Sequence, residues 1–296
     1  MSSHLLSGTV TLQESTMSAP PDRYIQVGPV KTRYWAEGGG DRVIVLIHGW
    51  SGFSEYWLPG ISALASQYRV YALDLVGHGR SDKPPRASYR ASDLAHFVKE
   101  FIVTLNLERA SLVGHSLGGA IALQFALQFP DLLDGLVLVD SAGLGKELPF
   151  LLRLTSIPRL GELLWRRPSR RALALGQRMQ VADPAVITDE WLDFVYQLAA
   201  QPDLRLALLK TLRGMCNLFG QRSDFVTPIV TGLASIRCPT LVMWGQHDRI
   251  IPVTHAQVAV KGIPNTRLQV FAHCGHCPML EQPHAFNQAM QEFLSP

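Results

Sequence analysis

Cysteine is scarce, with only Cys216, Cys238, Cys274 and Cys277 in a chain of 296 residues. So few thiols in so long a chain make no disulfide framework, which points to a reducing, cytoplasmic setting. Charge of one sign is lacking too. A formal net charge of +3 is too small to imply a nucleic-acid partner. Met1–Asp22 is rich in Ser, Thr and Pro but has no basic start followed by an apolar core, so it does not read as a secretory signal. It is expected to be a mobile leader, with Met17 as an alternative start. Charged residues are absent from Ser111 to Pro130, a run long enough to raise the question of a membrane span. Its glycines, Gln124, Gln128 and interior Ser116 argue for a buried element of a globular core instead.

What the chain does have is alternation. Strands are expected at Val43–Ile47, Arg69–Leu73, Ala110–Val113, Gly135–Val139, Thr240–Trp244 and Leu268–Phe271, the first, third and fourth as apolar runs. Ahead of them, Arg23–Val27 and Lys31–Ala36 flank Val-Gly-Pro-Val and predict an edge hairpin. Helical spacing occupies the gaps. Leu94, Phe97, Val98, Phe101, Ile102 and Leu105 form one apolar face behind a Ser92 cap, and a last amphipathic helix starts near Pro283. Eight strands alternating with helices predict an α/β fold, a mostly parallel sheet covered on both faces. From Gly143 to Leu233 the alternation stops, and leucine-rich helical patterns are broken by Pro149, Pro158, Pro168, Pro184 and Pro202. This segment is expected to be a helical lid inserted between two strands of one sheet, with residues 23–142 and 234–296 forming the core. Between Lys146 and Arg178 it holds eight basic residues against Glu147 and Glu162. A solvated outer face is the expected reading, with membrane-surface contact the competing one. Aromatics are too sparse there for nucleic acid.

Ala110–Phe129 organises the rest. A short apolar strand meets Gly114-His115-Ser116-Leu117-Gly118, followed by a helical Ala/Leu/Phe pattern that Pro130 ends. That strand, tight turn and helix are the context in which a G-x-S-x-G serine is lifted above a sheet. The reversal strains Ser116 and leaves room only for small neighbours, hence Gly114, Gly118 and Gly119. Leu117, first in the helix, offers a free N–H beside the serine. A serine hydroxyl needs a base and a group to orient that base. His276 follows the last strand and Asp248 the strand before it, in the chain order Ser, acid, His that such sites use. Asp140 also ends a strand at the same sheet edge and competes for the acid's place.

With His48-Gly49, Asp74–Asp82, Gly114–Gly119, Gly245–Asp248 and Gly275-His276 with Pro278 and Glu281, the chain from about Tyr24 onward resembles capped α/β-hydrolases. That group includes esterases, lactonases and ring-cleavage-product hydrolases. The resemblance implies Ser116 as nucleophile, His276 as general base, Asp248 as the orienting acid, and an oxyanion hole built from the Trp50 and Leu117 amides. It also implies no metal and no organic cofactor. A serine at this position disfavours the halide and epoxide chemistries, which use aspartate there. His115 before the serine and Cys277 after the histidine depart from the Asn and Trp usual in ring-cleavage-product hydrolases, which places carbon-carbon hydrolysis below ester or lactone hydrolysis. A slow, receptor-like ligand binder on the same fold is the reading from another class.

His48, Phe53, Trp57 and His115 are the candidate pocket residues. Trp50, Phe53, Tyr56 and Trp57 fit either an acyl pocket or ordinary core, and His48 also fits a structural role beneath the oxyanion loop. His78, His247 and His273 are expected as wall or packing residues. Cys274-Gly275-His276-Cys277 comes too late in the chain for a thioredoxin-type fold and is too short to close a zinc site. The expectation there is a pair of thiols able to bridge and displace His276.

Overall fold

Along Val43–Ile47 (β3) successive side chains enter two different cores. Val43, Val45 and Ile47 join one, Ile44 and Leu46 the other, as the period of two along a strand covered on both faces requires. The same division holds in Leu133–Val139 (β6), where Leu136 and Leu138 face one core and Val137 and Val139 the other. Each such side chain, buried fully, contributes roughly 1.5–3 kcal/mol.

The computed structural model describes residues 19–166 and 169–295. Most of the expected leader, Met17 included, lies outside the described residues, as do Arg167 and Pro168 of the basic segment. The sheet is completed by Arg23–Val27 (β1), Val30–Glu37 (β2), Arg69–Leu73 (β4), Ala110–His115 (β5), Thr240–Gly245 (β9) and Thr266–Phe271 (β10). Its order is β1-β2-β4-β3-β5-β6-β9-β10. Because β2 is antiparallel to both β1 and β4 and every other pairing is parallel, β2 alone runs against the rest. The expected eight-stranded α/β sheet is therefore the observed one.

Helices cover both faces. Ala91–Thr104 (α2), Leu117–Gln128 (α3) and Ala256–Gly262 (α10) pack on one core, and Leu58–Ala65 (α1), Pro278–Glu281 (α11) and Pro283–Leu294 (α12) on the other. Between β6 and β9 the chain leaves the sheet for Phe150–Thr155 (α4), Leu160–Trp165 (α5), Arg170–Arg178 (α6), Asp189–Ala199 (α7) and Pro202–Met215 (α8). A two-residue-per-strand hairpin, Cys216–Asn217 (β7) and Gly220–Gln221 (β8), and Ser223–Gly232 (α9) complete that segment. Thr188 caps α7, accepting a hydrogen bond from the Trp191 N–H. No helix among the described residues is long and apolar enough to cross a membrane.

Two local expectations are corrected. Ser92 does not cap α2. The helix begins at Ala91 with Arg90 as N-cap and no side-chain capping bond, so Ser92 lies inside its first turn. Asp22, expected in the mobile leader, is anchored: its carboxylate accepts hydrogen bonds from Arg33 Nε at 2.8 Å, Trp35 Nε1 at 3.1 Å and Arg80 Nη1 at 3.0 Å. Arg33 is buried and also pairs with Glu55 and Asp74. Without such partners its charge could not leave water.

Candidate active site

The turn between β5 and α3 holds Ser116 at φ 55°, ψ −116°, a left-handed conformation that costs a non-glycine residue about 1–3 kcal/mol. Hydrogen bonds hold it there. Ser116 N–H donates to Val139 C=O at 2.9 Å, and its own C=O accepts from Gly119 and Ala142 at 3.0 and 2.9 Å. Crossing backbones leave no space nearby: a Cβ on Gly114 would lie 2.2 Å from Gly118 O, and one on Gly118 2.2 Å from Ile47 O. Ser116 is half-buried and borders a cavity of about 360 Å³.

His276 borders the same cavity from the loop after β10. Its Nδ1 lies 2.7 Å from Asp248 Oδ2. The other Asp248 oxygen accepts from the Ile250 and Ile251 amides at 2.7 and 3.0 Å, which fixes the carboxylate. Since a carboxylate only accepts, Nδ1 carries the proton, which leaves Nε2 as the nitrogen able to accept one. No hydrogen bond joins the Ser116 hydroxyl to His276, an arrangement compatible with a serine and base that tighten only around substrate. The structure thus brings Ser116 and His276 to one cavity and joins Asp248 to the His276 ring through Nδ1.

Asp140, the competing acid, has φ 46° and a fully buried carboxyl whose Oδ1 accepts from Gly245 N–H at 2.9 Å. Its Oδ2 accepts no hydrogen bond among the described residues. Burial first, then the charge of Asp248 beside it, raises its pKa well above the ordinary carboxyl range. Asp140, Asp248 and His276 have potential ligand atoms within 4.8 Å of one another. His276 Nδ1 and Asp248 are already joined by their hydrogen bond, so a cation there would have to break it.

The Trp50 and Leu117 amides, the expected oxyanion donors, have no hydrogen-bond acceptor among the described residues. Leu117 is the first residue of α3, where the amide has no intrahelical partner and the dipole favours negative charge. Trp50 and His115 border the cavity. His115 Nε2 lies 2.7 Å from the His276 carbonyl, and burial together with the neighbouring His276 pushes its pKa well below the usual histidine value. It is therefore a neutral ring that donates to the His276 main chain and holds that loop.

Three candidate pocket residues lie elsewhere. His48 is fully buried beneath the loop, accepting from Leu75 N–H at 3.1 Å while its Nδ1 faces Gly49 O at 2.8 Å. Phe53 and Trp57 belong to the core: Phe53 packs against Trp191 and Phe194 of α7, and Trp57 against Phe286 of α12. Tyr56, from the same turn, does border the cavity. His247 and His273 are exposed rather than wall residues, and His78 is packed in the interior with its pKa lowered to about 3 by burial. Cys274 and Cys277 are free and buried, and burial and the Glu281 charge raise both thiols, leaving little thiolate for a bridge.

Two features had no distinct sequence signal. Glu281 accepts from the Gly275 amide at 3.0 Å, the Cys277 amide at 3.2 Å and the Ala182 amide at 2.7 Å, clasping the histidine loop to the helical segment. Its place after Gly275-His276 was the only clue. The remaining cavity wall comes largely from that segment, with Leu148, Leu152, Trp165, Leu173 and Met215 among its apolar members. Gln177, Gln180 and Gln221 supply its amides, and no Lys, Arg, Asp or Glu lines it among the described residues.

The chain is similar to proteins of known family over nearly its whole length. A family model for the alpha/beta hydrolase fold matches residues 42–283. An uncharacterized protein of Mycobacterium tuberculosis is 34% identical, the match covering 93% of this chain and 82% of that protein. A 2-hydroxy-6-oxononadienedioate/2-hydroxy-6-oxononatrienedioate hydrolase of Paraburkholderia phymatum is 31% identical, with 98% and 99% covered. The crystal structure of a membrane phospholipase A, a bacterial virulence factor, superimposes with a TM-score of 0.76 at 26% identity, covering 93% of this chain and 85% of that one.

Proposed function

The chain belongs to the alpha/beta hydrolase fold family, and from that premise we propose that it is a serine hydrolase of uncharged, largely apolar carboxylic esters or lactones. The observation that carries this reading is the wall of the cavity at Ser116, which is largely apolar: beside the catalytic pair its polar members are three amides, the Ser51, Tyr56 and Thr155 hydroxyls and the His115 ring, with no Lys, Arg, Asp or Glu among the described residues. The P. phymatum relative is named for a dioate, a substrate with two carboxylates. A carboxylate placed in such a wall without a cation leaves water uncompensated, at a penalty of several kcal/mol. An uncharged acyl chain loses nothing comparable and gains by burial. The ester reading also agrees with the phospholipase A neighbour.

In this reading Ser116 Oγ attacks the acyl carbon while His276 Nε2 takes its proton, and Asp248 stabilises the imidazolium through the Nδ1–H bond. The Trp50 and Leu117 amides receive the oxyanion. Collapse breaks the bond to the leaving alkoxide, which takes the proton from His276, and an acyl-enzyme remains. Water, deprotonated by the same nitrogen, then releases the acid and restores the serine. Residues 143–233 act as the cap that shapes the acyl pocket.

The test is a panel of nitrophenyl esters of increasing chain length beside the dienedioate of the relative. A burst of nitrophenol stoichiometric with protein, absent in Ser116→Ala, is expected from the esters, with slow or no cleavage of the dianion. Efficient cleavage of the dienedioate with inert esters would overturn the ester reading in favour of carbon-carbon hydrolysis.

A further inference from the structure

The helical segment between β6 and β9 exposes apolar side chains that a water-facing surface does not need. Phe219, in the β7–β8 turn, is 84% exposed, Leu163 on α5 65%, Phe150 on α4 60% and Leu151 56%. These positions are contiguous. Arg153 lies over the Phe150 ring, 5.5 Å from its centroid, and its Nη1 donates to Leu218 C=O in the turn that carries Phe219. Helix α4 packs on α5, and Leu151 and Leu164 are exposed while also bordering the Ser116 cavity. Apolar residues at the rim of a cavity, rather than scattered singly, mark a contact surface.

The charge around them identifies what it contacts. Lys146, Arg153, Arg159 and Arg166 have no ion-pair partner among the described residues. Each adjoins the patch: Lys146 C=O accepts from Gln221 N–H of the hairpin, Arg153 joins α4 to the turn, and Arg159 and Arg166 flank α5. The acids of the stretch are already engaged, Glu162 by Arg213 at 2.7 Å and Glu147 by His255 at 2.6 Å. Arg171 and Arg178 on α6 add two more unpaired cations among the described residues.

We infer that the rim formed by α4, α5 and the β7–β8 turn docks on an anionic phospholipid bilayer, with Phe150 and Phe219 entering the interface and the surrounding arginines meeting lipid headgroups. Aromatic and leucine side chains ringed by basic residues are the composition of an interfacial binder, and each cation near an anionic surface strengthens partitioning about fivefold. A second copy of the chain fits the patch less well, since a symmetric contact would set these unpaired cations against themselves. The basic stretch is then not merely a solvated face, as its composition alone suggests. The inference is independent of the chemistry at Ser116.

The test is cosedimentation of the full chain with vesicles of phosphatidylcholine alone or with equal parts phosphatidylglycerol. Binding to the anionic vesicles only, weakened by added salt, is expected. Phe150→Ser with Phe219→Ser should weaken it by about tenfold or more, and so should the charge reversals Arg159→Glu with Arg166→Glu. Turnover of a short soluble ester should stay unchanged in the serine pair, whose positions lie outside the cavity wall. No binding to anionic vesicles, or binding by both double variants as tight as that of the unaltered chain, would overturn the inference. So would a stable dimer that the serine pair converts to monomer while vesicles bind neither.

Discussion

The carboxyl edge of the sheet and the helical segment above it enclose one cavity but are built by different forces. At the sheet edge nearly every important group is held by directional bonds: Ser116 by four main-chain hydrogen bonds, Asp248 by two amides and a ring nitrogen, Glu281 by three amides. Across the cavity, Leu148, Leu152 and Leu173 are only half-buried and are held by packing alone. Hydrogen bonds fix atomic positions to within a fraction of an ångström, as bond-making chemistry demands. Apolar packing fixes volume, which is enough to sort acyl chains, and it tolerates replacement. The chemistry should therefore be brittle and the selectivity tunable.

The sharpest way to break this contrast is at the sheet edge. Ser116→Ala should remove the nitrophenol burst and lower turnover on the order of a million-fold, and Asp248→Asn should lower kcat on the order of ten-thousand-fold with the fold intact. A mild effect of either would end the assignment. Glu281→Ala strands the Gly275, Cys277 and Ala182 amides and should destabilise the chain by about 2–4 kcal/mol, read by urea denaturation, with kcat falling more than KM rises. Replacing a wall residue should do less. Leu173→Ala should shift the preferred ester by one or two carbons and change relative kcat/KM by about tenfold, leaving the kcat of acetyl esters near wild type.

The smallest expected effect separates the two acids. Asp140 binds its proton more tightly folded than unfolded, so between the ordinary Asp value and its raised one the native chain holds the extra proton. Stability then falls as pH rises through that window. Asp140→Asn cannot ionise, so its melting temperature should fall less with rising pH while turnover changes little. If its turnover fell as far as that of Asp248→Asn, Asp140 and not Asp248 would be the orienting acid.

Legibility in the sequence follows the same division. Val43–Ile47 is readable to the residue because a strand buried on both faces is an unbroken apolar run. At the margin, β10 begins at Thr266 rather than Leu268, since an edge strand exposes one row of side chains and polar residues are at home there. Strand β5 continues through Gly114 and His115, which read as turn, because pairing with Leu138 and Val139 of β6 keeps them extended. Phe53, Tyr56 and Trp57 could not be sorted between pocket and core by type, as one short turn sends neighbouring aromatics in different directions.

From the sequence alone came the alternation of strands and helices, the strained serine between small neighbours, and the order of serine, acid and histidine along the chain. Such features depend on residues near one another in the chain, where periodicity and backbone sterics act directly. Only the tertiary structure decided which acid meets His276, that Glu281 clasps the histidine loop, and that the cavity wall lacks charge among the described residues. Those depend on side chains brought together from distant strands and helices, and no local pattern encodes the meeting of groups that share only a point in space.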